Sequence, residues 1–156
     1  MGGGNHMKTF VCQICGHIAF DEAPVECPVC GMPIENFENE PYAIRMPSDP
    51  DNLNETEKMH VPVIEVTREC GLTPDVGCID VHVRVGEIMH VMESEHLIDF
   101  IDLYINKRYV TRVSLTRKVL YPAARVHLNV HEGIITVVAR CNVHGHWMNR
   151  VNLKDI

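Results

Sequence analysis

From residue 60 onward the chain reads as short apolar and polar runs at strand period. His60 to Thr67, Cys78 to Val85, Leu97 to Leu115 with a break near Asn106-Lys107, Ala124 to His131, and Ile134 to Arg140 are the predicted strands. Turn signals at Gly71, Pro74, Gly77, Gly86, Pro122 and Gly133 separate them. Within 124–131, Val126, Leu128 and Val130 share one face, and Arg125, His127, Asn129 and His131 share the other. That alternation describes a sheet with one wet side. Five or more such strands with hairpin-length connections, no long amphipathic helix and no internal repeat predict a mainly β fold, an antiparallel β-sandwich.

The pattern before residue 60 is different. Residues 8–38 are turn-rich and carry too few large apolar side chains to fold on burial alone. Residues 40–57 hold three prolines and many Asp and Asn, with neither helical nor strand period. The expected organisation is therefore an added leader over 1–6, a small module over 7–39, a linker over 40–57 and the sandwich over 58–156.

Composition narrows the function classes. With 14 Lys plus Arg against 21 Asp plus Glu, the chain repels nucleic-acid backbones and anionic membrane surfaces, and neither partner is expected. No window reaches a membrane span, and the N-terminus lacks the apolar core of a signal peptide, so a cytoplasmic protein is expected. Seven cysteines and ten histidines in such a compartment point to metal or redox chemistry rather than to disulfides.

Cys12-Gln13-Ile14-Cys15-Gly16 and Cys27-Pro28-Val29-Cys30-Gly31 are two Cys-x-x-Cys knuckles separated by eleven residues. This spacing aims two sulfurs of each tight turn at one point, and the glycine after each second cysteine permits the positive φ that closes it. Cys12, Cys15, Cys27 and Cys30 are thus expected to hold one metal ion, which supplies part of the module's folding free energy. Four thiolates suit iron and zinc alike. With Ala23-Pro24 and Phe37, the ribbon resembles the rubredoxin-like module of rubrerythrins.

Cys141-Asn142-Val143-His144 is a third knuckle without a second Cys-x-x-Cys to pair with. His60 heads a strand, and His90 and His96 stand in a loop. These two would lie about 240° apart around a helix, so they converge only if the chain wraps.

The stretches Glu57-Lys58-Met59-His60-Val61-Pro62-Val63-Ile64-Glu65, Val85 to Ile98, and Cys141-Asn142-Val143-His144-Gly145-His146-Trp147 resemble the superoxide reductases, the desulfoferrodoxin and neelaredoxin family, over roughly 57–152. The resemblance implies an immunoglobulin-like sandwich and a mononuclear iron held by His60, His90, His96 and His144, with Cys141 as axial thiolate. It implies one-electron reduction of superoxide to hydrogen peroxide, re-reduction by a rubredoxin-type donor, and a homo-oligomer. Lys58 and Glu57 match the family's catalytic lysine and glutamate, which draw in the anion and occupy the open site of the oxidised iron. The family runs Glu-Lys-His without a break, whereas this chain inserts Met59, and in an extended segment one extra residue reverses the face of Lys58. Two rivals remain: a non-catalytic iron protein on the same scaffold, sensing redox state or gas ligands or carrying electrons, and a zinc ribbon that docks a partner.

Other residues are expected to be bystanders. His82, His127 and His131 belong to wet strand faces, His146 lies beside a ligand, and His17 is not needed by a metal that has four sulfurs. Cys70 and Cys78 bracket a loop short enough for a disulfide, but free thiols are expected in the cytosol. The methionines read as ordinary packing.

Overall fold

The computed structural model describes residues 7–69, 71, 72 and 77–156. Strands β1 (Thr9–Cys12), β2 (Ile18–Phe20) and β3 (Phe37–Asn39) make a three-stranded ribbon in the order β2-β1-β3. The chain then passes through β4 (Ile44–Arg45) and helix α1 (Glu55–His60) into β5 (Pro62–Thr67), β6 (Ile79–Val85), β7 (Ile98–Ile105), β8 (Arg108–Ser114), β9 (Ala123–Leu128), β10 (Ile134–Cys141) and β11 (Gly145–Asn152). A five-stranded sheet, β4-β11-β10-β7-β8, faces a three-stranded sheet, β5-β6-β9. Every pairing is antiparallel except β11 with β4. The expected sandwich is present.

Between the two sheets lies a core that includes Val81, Val83, Val85, Ile101, Leu103, Val137 and Ala139. On β10, Val137 and Ala139 point into it, whereas Val138 between them points the other way, into a second cluster with Val11, Ile18, Phe20, Tyr104 and Met148. The ribbon therefore covers the outer face of the five-stranded sheet. This explains why β10 reads as a continuous apolar run rather than an alternation: both of its faces are buried.

The break expected near Asn106-Lys107 is a two-residue hairpin turn, with φ of 50° and 68° at the two residues. Positive φ at both positions gives the turn a twist that matches its strands.

Three differences from the sequence reading have local causes. The strand expected from His60 starts at Pro62, because 55–60 is a helix opened by a capping box: the Asn54 side chain accepts from the Glu57 N–H, and Glu57 Oε1 accepts from the Asn54 N–H. Strand β11 was not expected, since Trp147 and Met148 are both buried and break the alternation. Cys78 is disulfide-bonded rather than the free thiol expected; Cys70 lies outside the described residues. Within 40–57, β4 adds a parallel edge to β11 through Ile44 and Arg45, so that segment is anchored before it reaches α1.

Candidate metal centres

In the ribbon, each knuckle closes in the same way. The Gly16 N–H donates to the Cys12 carbonyl and the Gly31 N–H to that of Cys27, both at 2.9 Å, with φ of +78° and +79° at the glycines. The Cys12 and Cys30 sulfurs are 3.6 Å apart, as are those of Cys15 and Cys27. A tetrahedron of thiolates at about 2.3 Å from one metal puts its sulfurs about 3.8 Å apart, so all four fit a single ion. They are free thiols. Burial pushes the Cys15 and Cys27 thiols above their usual range, so a bound cation is what would hold them as thiolates.

The second centre gathers residues from four places. His60 ends α1, and its Nδ1–H donates to the Thr56 carbonyl at 2.7 Å. His90 sits in the loop after β6, and its Nδ1–H donates to the Val91 carbonyl at 2.6 Å. Because both acceptors are carbonyls, Nδ1 carries the proton in each ring and Nε2 keeps its lone pair. Gly86 allows this approach, since a Cβ there would stand 2.5 Å from the Lys58 carbonyl. That carbonyl accepts from the Ile88 N–H, which ties α1 to the His90 loop.

His96 is placed by Asn142. The Asn142 side chain accepts from the Leu97 N–H and donates to the Glu95 carbonyl, clamping the histidine loop onto the third knuckle. A register shift between Arg140 and Cys141 re-aims the cysteine at the end of β10. The His144 N–H donates to Cys141 Sγ at 3.4 Å, and His144 Nδ1 lies 3.6 Å from the same sulfur.

One donor atom each from His60, His90, His96 and Cys141 lies within 4.8 Å of all the others. The four imidazoles form a closed ring with adjacent centroids 4.7 Å (His60–His90), 4.6 Å (His90–His96), 5.1 Å (His96–His144) and 4.8 Å (His144–His60) apart. The His60–His96 diagonal, 6.4 Å, exceeds every side, as a near-square arrangement requires. Nε2 of His60, His90 and His96 is buried without a hydrogen-bond partner. An orphaned buried acceptor costs about 1–3 kcal/mol, and three converging on one sulfur describe a metal site. Burial pushes His60 below its usual pKa and His90 down to about 4, so both are the neutral imidazoles that a metal takes.

The expected accessories occupy α1. Glu57 is held in the capping box, and half-exposed Lys58 pairs with Glu55 at 3.5 Å. In a helix Lys58 projects about 200° away from His60. The inserted Met59 thus acts on a helical turn and not on an extended segment.

Other residues prove more engaged than the sequence suggested. Trp147 stacks on His60 at 4.8 Å and 23°, and its Nε1–H donates to the His144 carbonyl. His17 is buried, 3.1 Å from the fully buried Asp102, which also takes a two-pronged ion pair from Arg112. Arg112 in turn donates to the Cys15 carbonyl and lies over the Phe100 ring. Buried His146, pushed below its usual pKa by that burial, donates from Nε2 to the Gly16 carbonyl at 2.8 Å. Of these contacts, only the capping signal Asn54-x-x-Glu57 is visible as a local motif. His82 lies on the wet face of β6, as expected, whereas His131 lies beyond the end of β9, which stops at Leu128, and is exposed there rather than on a strand face.

Fold and site together define a β-sandwich protein with two candidate metal centres, one built from four cysteines and the other from histidines and a cysteine. The family described as Desulfoferrodoxin matches residues 52–150, and that described as Rubrerythrin, rubredoxin-like domain matches residues 10–38. A desulfoferrodoxin of Syntrophotalea carbinolica is 30% identical over 146 residues, covering 90% of this chain and 94% of the relative. A superoxide reductase of Pyrococcus horikoshii is 35% identical over 106 residues, covering 61% and 87%. The solved structure of the reduced superoxide reductase (neelaredoxin) from Archaeoglobus fulgidus superposes with a TM-score of 0.54 at 27% identity, covering 70% of this chain and 97% of that one. The chain belongs to the desulfoferrodoxin family.

Proposed function

We propose that this chain is a superoxide reductase, an enzyme that reduces superoxide to hydrogen peroxide by one electron and two protons. The observation that carries the reading is the convergence of three orphaned Nε2 atoms on Cys141 Sγ, with His144 closing the ring. Iron bound there supplies the one-electron chemistry. His60, His90, His96 and His144 would hold it. Cys141, buried and receiving the His144 N–H, would supply an electron-rich thiolate whose donor strength that hydrogen bond tempers.

In this reading Lys58 draws in the anion and Glu57 caps the oxidised site. Lys58 is free to do so at small cost, because an exposed ion pair such as that with Glu55 is worth about 0–1 kcal/mol. Glu57 must first leave the capping box, which costs about 1 kcal/mol. Iron in Cys12, Cys15, Cys27 and Cys30 makes the ribbon the inlet for the electron from a rubredoxin-type donor. A homo-oligomer in the cytoplasm is the expected setting; among the described residues no helix is long and apolar enough to cross a membrane.

The engagement of Glu57 and Lys58 within α1 favours, as second reading, an iron protein on this scaffold that senses or carries electrons without turnover. Steady-state superoxide consumption by the iron-loaded protein with a reduced rubredoxin-type donor separates the two. Turnover is expected; its absence overturns the enzyme. Elemental analysis showing only zinc after anaerobic preparation would turn the ribbon into a docking module.

A further inference from the structure

The two knuckles of the ribbon face different surroundings. Cys15 and Gly16 in the first give both carbonyls to the sandwich, to Arg112 Nη1 at 2.9 Å and to His146 Nε2 at 2.8 Å. The same glycine lies against the Arg140 and Phe100 side chains: a Cβ on it would be 3.5 Å from each. Among the described residues no hydrogen bond joins Cys27, Pro28, Val29, Cys30 or Gly31 to the sandwich. Nearby Val25, Met32 and Ile34 are exposed. The first knuckle is thus hydrogen-bonded to the sandwich and the second is not.

His146 stands at the meeting point. Its imidazole touches the residue next to Cys15, and its main chain reaches His144 through Gly145 alone. Across the ladder it pairs with Arg140, the residue before Cys141. The covalent alternative, from Cys30 to His60, runs through the twenty-nine residues between them, which include the whole of 40–57. A single 2.8 Å hydrogen bond therefore shortens the connection between the clusters to a few residues on each side. Arg112 makes no such connection, because it leads from Cys15 to Asp102 and β8 rather than to a ligand-bearing residue.

We propose that His146 is the positioning residue that joins the two centres electronically, and that the Cys15–Gly16 carbonyl–His146 imidazole–Gly145–His144 route carries the electron from the ribbon to the His/Cys site. This rests on the reading of both centres as one-electron iron sites. In the step, ferrous iron in the ribbon becomes ferric and ferric iron at the second centre becomes ferrous. No bond breaks, and the Nε2 proton stays on His146. A small one-electron donor protein, docking against the exposed Val25, Met32 and Ile34 beside the second knuckle, restores the ribbon.

The test uses the full chain with iron in both sites, the second centre oxidised and the ribbon reduced by a flash-generated flavin radical. The readout is the rate at which the second centre loses its sulfur-to-iron absorption. His146→Phe, which fills the space without a donor, is expected to slow this several-fold while leaving both absorption spectra and Tm in place. His146→Gln, which restores an N–H, is expected to recover most of the rate. Should His146→Phe disturb either centre, His146→Asn, too short to reach Gly16, takes its place with the same slowing expected. Equal rates in wild type and the donor-less variant, no recovery with His146→Gln, or a ribbon that takes up only zinc would each overturn the proposal. Superoxide enters none of these measurements, so a wild type whose second centre superoxide fails to oxidise would overturn the enzymatic reading alone.

Discussion

The indole of Trp147 lies face to face with the imidazole of His60, centroids 4.8 Å apart, while its Nε1–H holds the carbonyl of His144 at 3.2 Å. One buried side chain thereby orients two members of the histidine ring that lie 84 positions apart in the sequence. Arg45 on β4 stands 5.8 Å from the indole ring and completes the stack.

Trp147 is the only tryptophan of the chain, so intrinsic fluorescence reports the second centre alone. Titration of the apo protein with ferrous iron is expected to quench it as the His/Cys site fills, and filling of the ribbon to leave it unchanged. Trp147→Phe keeps the stacking ring and loses the hydrogen bond. Partners of ligands typically contribute 10–100-fold to metal affinity, and a weakening of about tenfold is expected by competition with a chelator.

Cys141→Ser is expected to abolish the sulfur-to-iron charge-transfer absorption of the oxidised second centre and leave that of the ribbon in place. His131→Ala, on an exposed position beyond β9, is expected to change neither. Survival of the band in the Cys141 variant would refute the ligand set.

Asp102 is fully buried between Arg112 and His17, where the ribbon meets the sheet. Removing one partner of a buried ion pair strands the other, at about 3–5 kcal/mol. Asp102→Ala is therefore expected to lower the urea midpoint by an amount of that order. It is also expected to expose the first knuckle to thiol reagents, measured by the labelling rate of Cys15. An unchanged midpoint would show that the network does not hold the ribbon down.

The apo protein is expected to lose stability as pH falls from about 6.5 towards 4. Burial lowers the pKa of His90 to about 4 and that of His60 in the same direction. In this window the unfolded chain binds protons that the folded chain excludes, so stability rises with pH. His90, whose pKa falls from 6.5 to about 4, contributes up to about 3 kcal/mol. Urea unfolding at several pH values measures it, and His90→Gln is expected to flatten the slope.

Much of this protein can be read locally. Two Cys-x-x-Cys-Gly turns bring their own geometry, so the four sulfurs of the ribbon were legible from spacing and from the positive φ that Gly16 and Gly31 supply. The alternation on β6 and β9 and the turn at Asn106-Lys107 were legible for the same reason, since each depends on neighbours a few residues away. The capping box at Asn54-x-x-Glu57 is equally local, but the prolines around it give the segment the composition of a linker. The identity of His60, His90, His96, His144 and Cys141 as a set needed the order of three motifs along the chain and their resemblance to a family.

What spacing could not reveal was which surfaces face each other. β10 alternates between two cores, because a ribbon from the far end of the chain covers the sheet's outer side. His146 looked like a bystander beside a ligand, and its role depends on a carbonyl 130 residues away. Local sequence determines turns, caps and strand faces through bonds and contacts within a few residues. Which of those faces is wet, and which buried histidine bridges two centres, is decided only when hydrophobic burial brings distant segments together and every buried polar atom must find its partner.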